Sequence, residues 1–186
     1  MLTFTKMKRE IFQEIEIPEN VNVVLEGKKL IVKGPDGENQ RQFNLREIEL
    51  KKEGNKITIR CEKATKNEKK EINTARAHVQ NMINGVSKKF EYRLKVCFSH
   101  FPITVEVKGN EIIIKNFIGE KENRKAEIPH GAEVKVNKEM ITVTSSSKEI
   151  AGQAAANMEQ ATKIRKKDRR VFQDGIFIIS KAGKEI

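Results

Sequence analysis

Six cations fall within eight residues near the end of the chain: Lys163, Arg165, Lys166, Lys167, Arg169 and Arg170. Side chains of this type neutralise phosphates, and arginine adds a planar, forked donor that can also stack on bases. On a helix these six would surround it on every side, so they cannot bury a face in a protein core. They need an anionic partner or solvent. Groups suited to catalysis are sparse by comparison. The three histidines, His78, His100 and His130, have no metal-binding helical spacing, and no serine or cysteine sits in a nucleophile-elbow sequence. Carboxylates mostly alternate with lysine, the pattern of a solvated face with local ion pairs. Cys61 and Cys97 are too far apart in sequence for a metal motif, and Cys61 continues the alternation of Ile57 and Ile59 as a small buried residue. The Gly34-Pro35-Asp36-Gly37 cluster is a turn without phosphate-loop spacing. No enzyme activity, cofactor, metal or small-molecule substrate is expected.

The cationic run follows a helix and precedes an apolar group. Ile150, Ala151, Ala154, Ala155, Met158 and Ala161 recur at three- and four-residue spacing, which predicts an alanine-rich helix with one apolar face. Phe172, Ile176, Phe177, Ile178 and Ile179 come after the run. The strip is therefore held between anchored segments, which lowers the entropy lost when it meets a phosphate backbone. A second cationic candidate is Lys88 and Lys89 with Arg93, leading into a strand over 90–98, a pattern that equally fits a sheet edge protected from aggregation by charge. RNA is the expected partner. If all six cations of the strip touch phosphates, affinity falls by roughly four to five log units per tenfold rise in salt.

The remaining elements repeat. Val21, Val23 and Leu25 alternate, turn at Glu26-Gly27-Lys28-Lys29, and return through Leu30 and Val32. Short strands are expected at 42–45, 47–51 and 56–61, then a helix over about 67–86 with Ile72, Ala75, Val79, Met82, Ile83 and Val86 on its inner face. After it the order recurs: strands at 90–98, 102–107 and 111–115, with Gly109-Asn110 as the turn, then Ile141-Thr142-Val143 before the second helix. The expected class is α+β: two tandem copies of a small, mainly antiparallel sheet covered on one face by a single helix, divided as 1–87 and 88–186.

Composition agrees with this division. The 186 residues allow two domains near the lower limit for a self-sufficient core. The formal charge is +11, and residues 163–186 hold 8 Lys+Arg against 3 Asp+Glu, contributing +5 of it. The basic run lacks the apolar face and aromatic anchors of a membrane-surface helix. No apolar run is long enough to span a bilayer, and no secretory signal is expected in Met1 to Glu16, so the expected location is cytoplasmic.

Several motifs occur together in one order: Lys33-Gly34-Pro35-x-Gly37; Ala75-Arg76-Ala77-His78-Val79-Gln80-Asn81-Met82-Ile83-Asn84-Gly85-Val86; His100-Phe101-Pro102-Ile103; Gly152-Gln153-Ala154-Ala155; and Arg165-Lys166-Lys167-Asp168-Arg169-Arg170-Val171-Phe172-Gln173-Asp174-Gly175-Ile176. Over essentially its whole length the chain resembles the "L six" family of large-subunit ribosomal proteins ("L nine" in eukaryotes), in its eukaryotic or archaeal branch. The resemblance implies two tandem α/β copies, the second making most of the ribosomal RNA contact near the sarcin-ricin loop and the translation-factor-binding side of the subunit. Neighbouring large-subunit proteins are further implied partners. By motif, Gln153 and the cations from Lys163 to Arg170 are the expected contacts. The rival reading is a non-ribosomal interaction module using exposed sheet edges. A nucleic-acid-processing enzyme ranks third, for want of an acidic metal-binding cluster.

Overall fold

A computed structural model describes residues 9–44, 47–168 and 170–186. The chain divides into two compact units, Met1–Lys88 and Lys89–Ile186.

The first unit contains β1 (Arg9–Glu16), β2 (Asn22–Glu26), β3 (Lys29–Gly34), β4 (Gly37–Gln42), β5 (Glu49–Glu53), β6 (Lys56–Ala64) and helix α1 (Lys66–Ser87). Its strands form two three-stranded antiparallel sheets, ordered β1-β6-β5 and β2-β3-β4. Helix α1 packs on β1, β3, β4 and β6, so it covers strands of both sheets. Its buried face is the expected one, Ile72, Ala75, Val79, Met82, Ile83 and Val86, against Val32, Ile57, Ile59 and the buried Cys61. Each fully buried aliphatic side chain of this kind contributes about 1.5–3 kcal/mol. The start of α1 is fixed by local hydrogen bonds. Thr65 caps the helix, and Glu68 Oε2 accepts from the Thr65 backbone N–H at 2.7 Å, forming a capping box.

Gly34 is required by close approach. A Cβ there would lie 2.7 Å from the carbonyl oxygen of Val86 and 2.9 Å from its Cγ2. The Asp36 N–H donates to that same carbonyl at 2.9 Å, so the β3–β4 turn is fastened to the end of α1.

The second unit contains β7 (Phe90–Cys97), β8 (Thr104–Lys108), β9 (Glu111–Lys115), a short 3-10 turn at Phe117–Gly119, β10 (Arg124–Glu127), β11 (Glu133–Asn137), β12 (Met140–Ser145), helix α2 (Lys148–Ala161), β13 (Gly175–Lys181) and β14 (Lys184–Glu185). One sheet runs β10-β9-β8 and the other β11-β12-β7-β13-β14, all antiparallel. Helix α2 packs on β7, β10, β12 and β13 through buried Ala151, Ala154, Ala155 and Met158. Small residues bring its axis close to the sheet: a Cβ on Gly152 would meet the Tyr92 hydroxyl at 3.3 Å.

Both units thus have the expected α+β architecture, antiparallel strands closed by one helix. The strands β4, β10 and β11 were not expected. Their sequences, Gly-Glu-Asn-Gln-Arg-Gln, Arg-Lys-Ala-Glu and Glu-Val-Lys-Val-Asn, carry at most two apolar side chains, and they are held by backbone pairing to β3, β9 and β12. Of the strand expected at 42–45 only Gln42 lies in a strand, as the last residue of β4; Phe43 and Asn44 are in none, and Leu45 falls outside the described residues. Among the described residues no helix is long and apolar enough to cross a membrane.

Candidate nucleic-acid interface

Helix α2 ends at Ala161, before the cations, and the segment from Lys163 to Asp174 is a loop between α2 and β13. The cationic run therefore does not extend the helix. Lys163, Arg165, Lys166, Lys167 and Arg170 are all exposed on this loop, and Arg169 lies outside the described residues.

Four attachments hold the loop. Thr162 is buried, its hydroxyl donating toward Met158 O at 3.3 Å and accepting from the Ile176 N–H at 2.9 Å, which ties the two ends of the loop together. Arg124 reaches from β10 to the end of α2, donating from Nη1 to Ala161 O (2.9 Å) and Lys163 O (3.2 Å). A cation at these free carbonyls also meets the negative end of the helix dipole. Its other nitrogens donate to both oxygens of Glu120, at 2.8 and 2.6 Å, and its plane lies 4.2 Å over the Phe117 ring. Those hydrogen bonds hold the Glu120 carboxyl below its usual pKa, against the opposing effect of burial, with help from the charges of Arg124 and Lys167.

Asp174 makes the third attachment. Its carboxylate accepts from the N–H groups of Ser99 (2.5 Å) and His100 (3.2 Å) and pairs with His100 Nδ1 at 2.6 Å. Burial alone would raise its pKa, but the Ser99 and His100 hydrogen bonds and the His100 charge together bring it below the ordinary value. The fourth is a stack outward from the same histidine. The His100 ring stacks on Phe172 at 4.8 Å between ring centres, and Lys167 Nζ lies 4.5 Å from the centre of the same Phe172 ring. Within the loop, Asp168 Oδ1 accepts from the Arg170 N–H at 2.9 Å and its carbonyl from Phe172 N–H at 3.0 Å, a local turn that Lys166 enters with a left-handed φ of 57°.

This geometry presents charge and does not assemble a reaction centre. Ser99 Oγ contacts His100 Nδ1 at 3.1 Å, the same nitrogen that Asp174 occupies, whereas a serine–histidine–aspartate relay needs the hydroxyl on the opposite ring nitrogen. Among the described residues no three of His, Cys, Asp and Glu are grouped to hold a metal ion.

The family model described as Ribosomal protein L6 matches residues 17–89 and again 101–175. The chain belongs to the ribosomal protein L6 family. Similar proteins include the large ribosomal subunit protein uL6 of Methanococcus vannielii, 47% identical over 174 residues, covering 94% of this chain and 96% of the relative. That of Methanobrevibacter smithii is 44% identical over 171 residues, covering 92% and 96%. That of Sulfurisphaera tokodaii is 46% identical over 172 residues, covering 92% of each. All three are archaeal, in agreement with the branch expected from the motifs. L6-family membership also agrees with the expectation of a ribosomal constituent that is not an enzyme.

The other residues expected at an L6-type RNA interface are scattered. Gln153 is exposed on α2 more than two turns before the loop, donating to Asn157 Oδ1 at 2.7 Å, and Asn157 in turn donates to Glu127 O at 2.9 Å. Lys88 is exposed at the end of the first unit, its N–H capping Asn84 O at 2.9 Å. Lys89 is half-buried and paired with Glu133 at 2.8 Å, a hydrogen bond that holds the Glu133 carboxyl below its usual pKa. Arg93 pairs with Glu91 at 2.5 Å. The loop sits by the Cys97 end of β7 and Lys89 precedes its other end, so about 25 Å of strand separates them at 3.3 Å per residue. Neither Lys89 nor Arg93 is gathered with the loop.

Sequence reasoning overlooked Arg124, Asp174 and the positioning role of His100. The His100-Phe101-Pro102 and Gln173-Asp174-Gly175 motifs were the available signal, but their partnership appears only when β7 and β13 pair with Cys97 opposite Gly175.

Proposed function

We propose that this chain is a constituent of the large ribosomal subunit in the cytoplasm, and that its anchored loop binds ribosomal RNA near the sarcin-ricin loop and the translation-factor-binding region. The carrying observation is the loop itself. Five described cations, Lys163, Arg165, Lys166, Lys167 and Arg170, are exposed on a segment fastened by Thr162, Arg124, Asp174 and Phe172. Pre-ordering of this kind lowers the entropic cost of docking on a phosphate backbone. Arg169 belongs to the same run, Gln153 is a flanking contact on α2, and Lys88, Lys89 and Arg93 are peripheral contacts whose charge is in part spent on Glu133 and Glu91. The placement near the sarcin-ricin loop rests on the family resemblance. We take 1–87 and 88–186 as the two domains, the second bearing most of the RNA contact, with neighbouring large-subunit proteins as further partners.

The test is incorporation. The loop with Lys163, Arg165, Lys166, Lys167 and Arg170 changed to glutamine should leave circular dichroism unchanged and abolish co-sedimentation with large subunits. Undiminished incorporation of the folded variant would refute the reading and favour contact through sheet edges.

A further inference from the structure

Beside the cationic loop lies an open groove of about 840 Å³, within the size range of small-molecule and nucleotide sites. Phe98, Phe172 and Phe177 line it, and Phe98 and Phe177 remain 41% and 38% exposed. A soluble chain rarely leaves large rings grouped in the open without a partner for them. Gly175 gives the ring room: a Cβ there would lie 3.2 Å from Phe177 Cζ, and the ring would have to shift by a few tenths of an ångström to accept it. The polar part of the lining includes the carboxamides of Gln160 and Gln173, each able to donate and accept.

Charge decides which part of a ligand would enter. Asp174 in the lining is 1% exposed and engaged by Ser99 and His100, which leaves Glu159 opposite Lys163 and no net positive charge inside to hold a phosphate. The exposed cations lie on the adjoining loop, of which Lys163 and Ile164 form part of the wall. A neutral, flat group joined to a polyanionic backbone satisfies both regions at once. We propose that this groove receives one unpaired nucleobase of RNA, splayed from its strand and stacked on the exposed Phe98 and Phe177 rings, while its flanking phosphates lie on the loop. This rests on the RNA-binding reading of the loop and adds a base-stacking site to it. Unstacked bases held on aromatic rings, with amides on their edges, are a general means of recognising single-stranded RNA.

The chain contains no tryptophan, so Phe98→Trp in the full-length protein places a single indole in the groove. Titration with deproteinised large-subunit RNA should quench its emission, whereas inorganic polyphosphate, which engages the loop alone, should not. Separately, Phe177→Leu should weaken binding of that RNA roughly 5- to 150-fold, the range for loss of one stacked base, and leave the salt slope unchanged because no cation is removed. RNA binding with a normal salt slope but no quenching overturns the groove and leaves the loop reading standing. Equal quenching by polyphosphate, or quenching only in assembled subunits, overturns it too, the latter by pointing to a neighbouring protein as occupant. Should the RNA fail to bind at all, the loop reading fails and the groove with it. If Phe177→Leu does not fold, the indole titration alone decides.

Discussion

Replacing Asp174 with alanine separates positioning from charge. The carboxylate is 1% exposed and serves two backbone N–H groups and one imidazole nitrogen. Each buried donor left unsatisfied costs about 1–3 kcal/mol, and His100, a third exposed, recovers water in place of its lost partner. The expected destabilisation is about 3 kcal/mol, while Asp174→Asn, which keeps an oxygen facing the two N–H groups, should cost about 1 kcal/mol. Urea unfolding followed by circular dichroism measures both. The pH dependence has a definite sign. Because the folded carboxyl titrates below its unfolded value of about 3.9, its contribution is complete above that value and disappears as pH falls through the folded value. The part of the gap between the natural chain and Asp174→Ala that comes from this carboxyl's ionisation should therefore shrink below about pH 4. Binding to RNA gives a second readout. Removing a carboxylate raises the formal charge of +11 by one, so long-range attraction alone would tighten binding. Loss of the anchor should instead weaken it by roughly fivefold, through about 1 kcal/mol of added ordering cost. A stability change under about 0.5 kcal/mol, or tighter RNA binding, would refute the role assigned to this contact.

Other changes test other parts of the structure. Arg124→Ala should destabilise the chain by about 2–3 kcal/mol, because two hydrogen bonds to the end of α2, the paired contact with Glu120 and the stack on Phe117 go together; urea unfolding checks it. Gly34→Ala should cost about 1–3 kcal/mol by forcing the β3–β4 turn away from the Val86 carbonyl, read as a lowered unfolding midpoint. Lys89→Ala and Arg93→Ala, which remove cations already paired with glutamates, should each change RNA affinity less than about threefold, against a larger loss for Lys166→Ala or Arg165→Ala in the same filter-binding assay.

The chain shows which of its features can be read without coordinates. The two helices were legible because their apolar faces repeat every three to four residues, Ile72 to Val86 and Ile150 to Ala161; the residues of those faces are buried as expected, while Ile150 and Ala161 at the ends of the second face are half-buried. The hairpin at Gly27 and that at Gly109 were legible for a similar reason: both glycines hold a left-handed φ, of 60° and 61°. Strands such as β4 and β10 were not, since backbone pairing leaves little trace in side-chain pattern. The cations of the loop were visible as composition, whereas the groups that hold them were not. Asp174 and His100 are 74 residues apart, and Arg124 is 39 from Lys163, so neither contact leaves a local spacing. The Glu133 and Glu91 partners of Lys89 and Arg93 were equally hidden, which is why those cations looked more available than they are.

The most direct test is the salt dependence of affinity between the full-length chain and a large-subunit ribosomal RNA fragment containing the sarcin-ricin loop. With the five described loop cations on phosphates, at roughly 0.7 to 0.9 per contact, log affinity should fall by roughly 3.5 to 4.5 per tenfold rise in salt. Neutralising those five residues should flatten the slope by nearly that amount. A slope near zero in the natural chain, or one that survives neutralisation, would contradict the account.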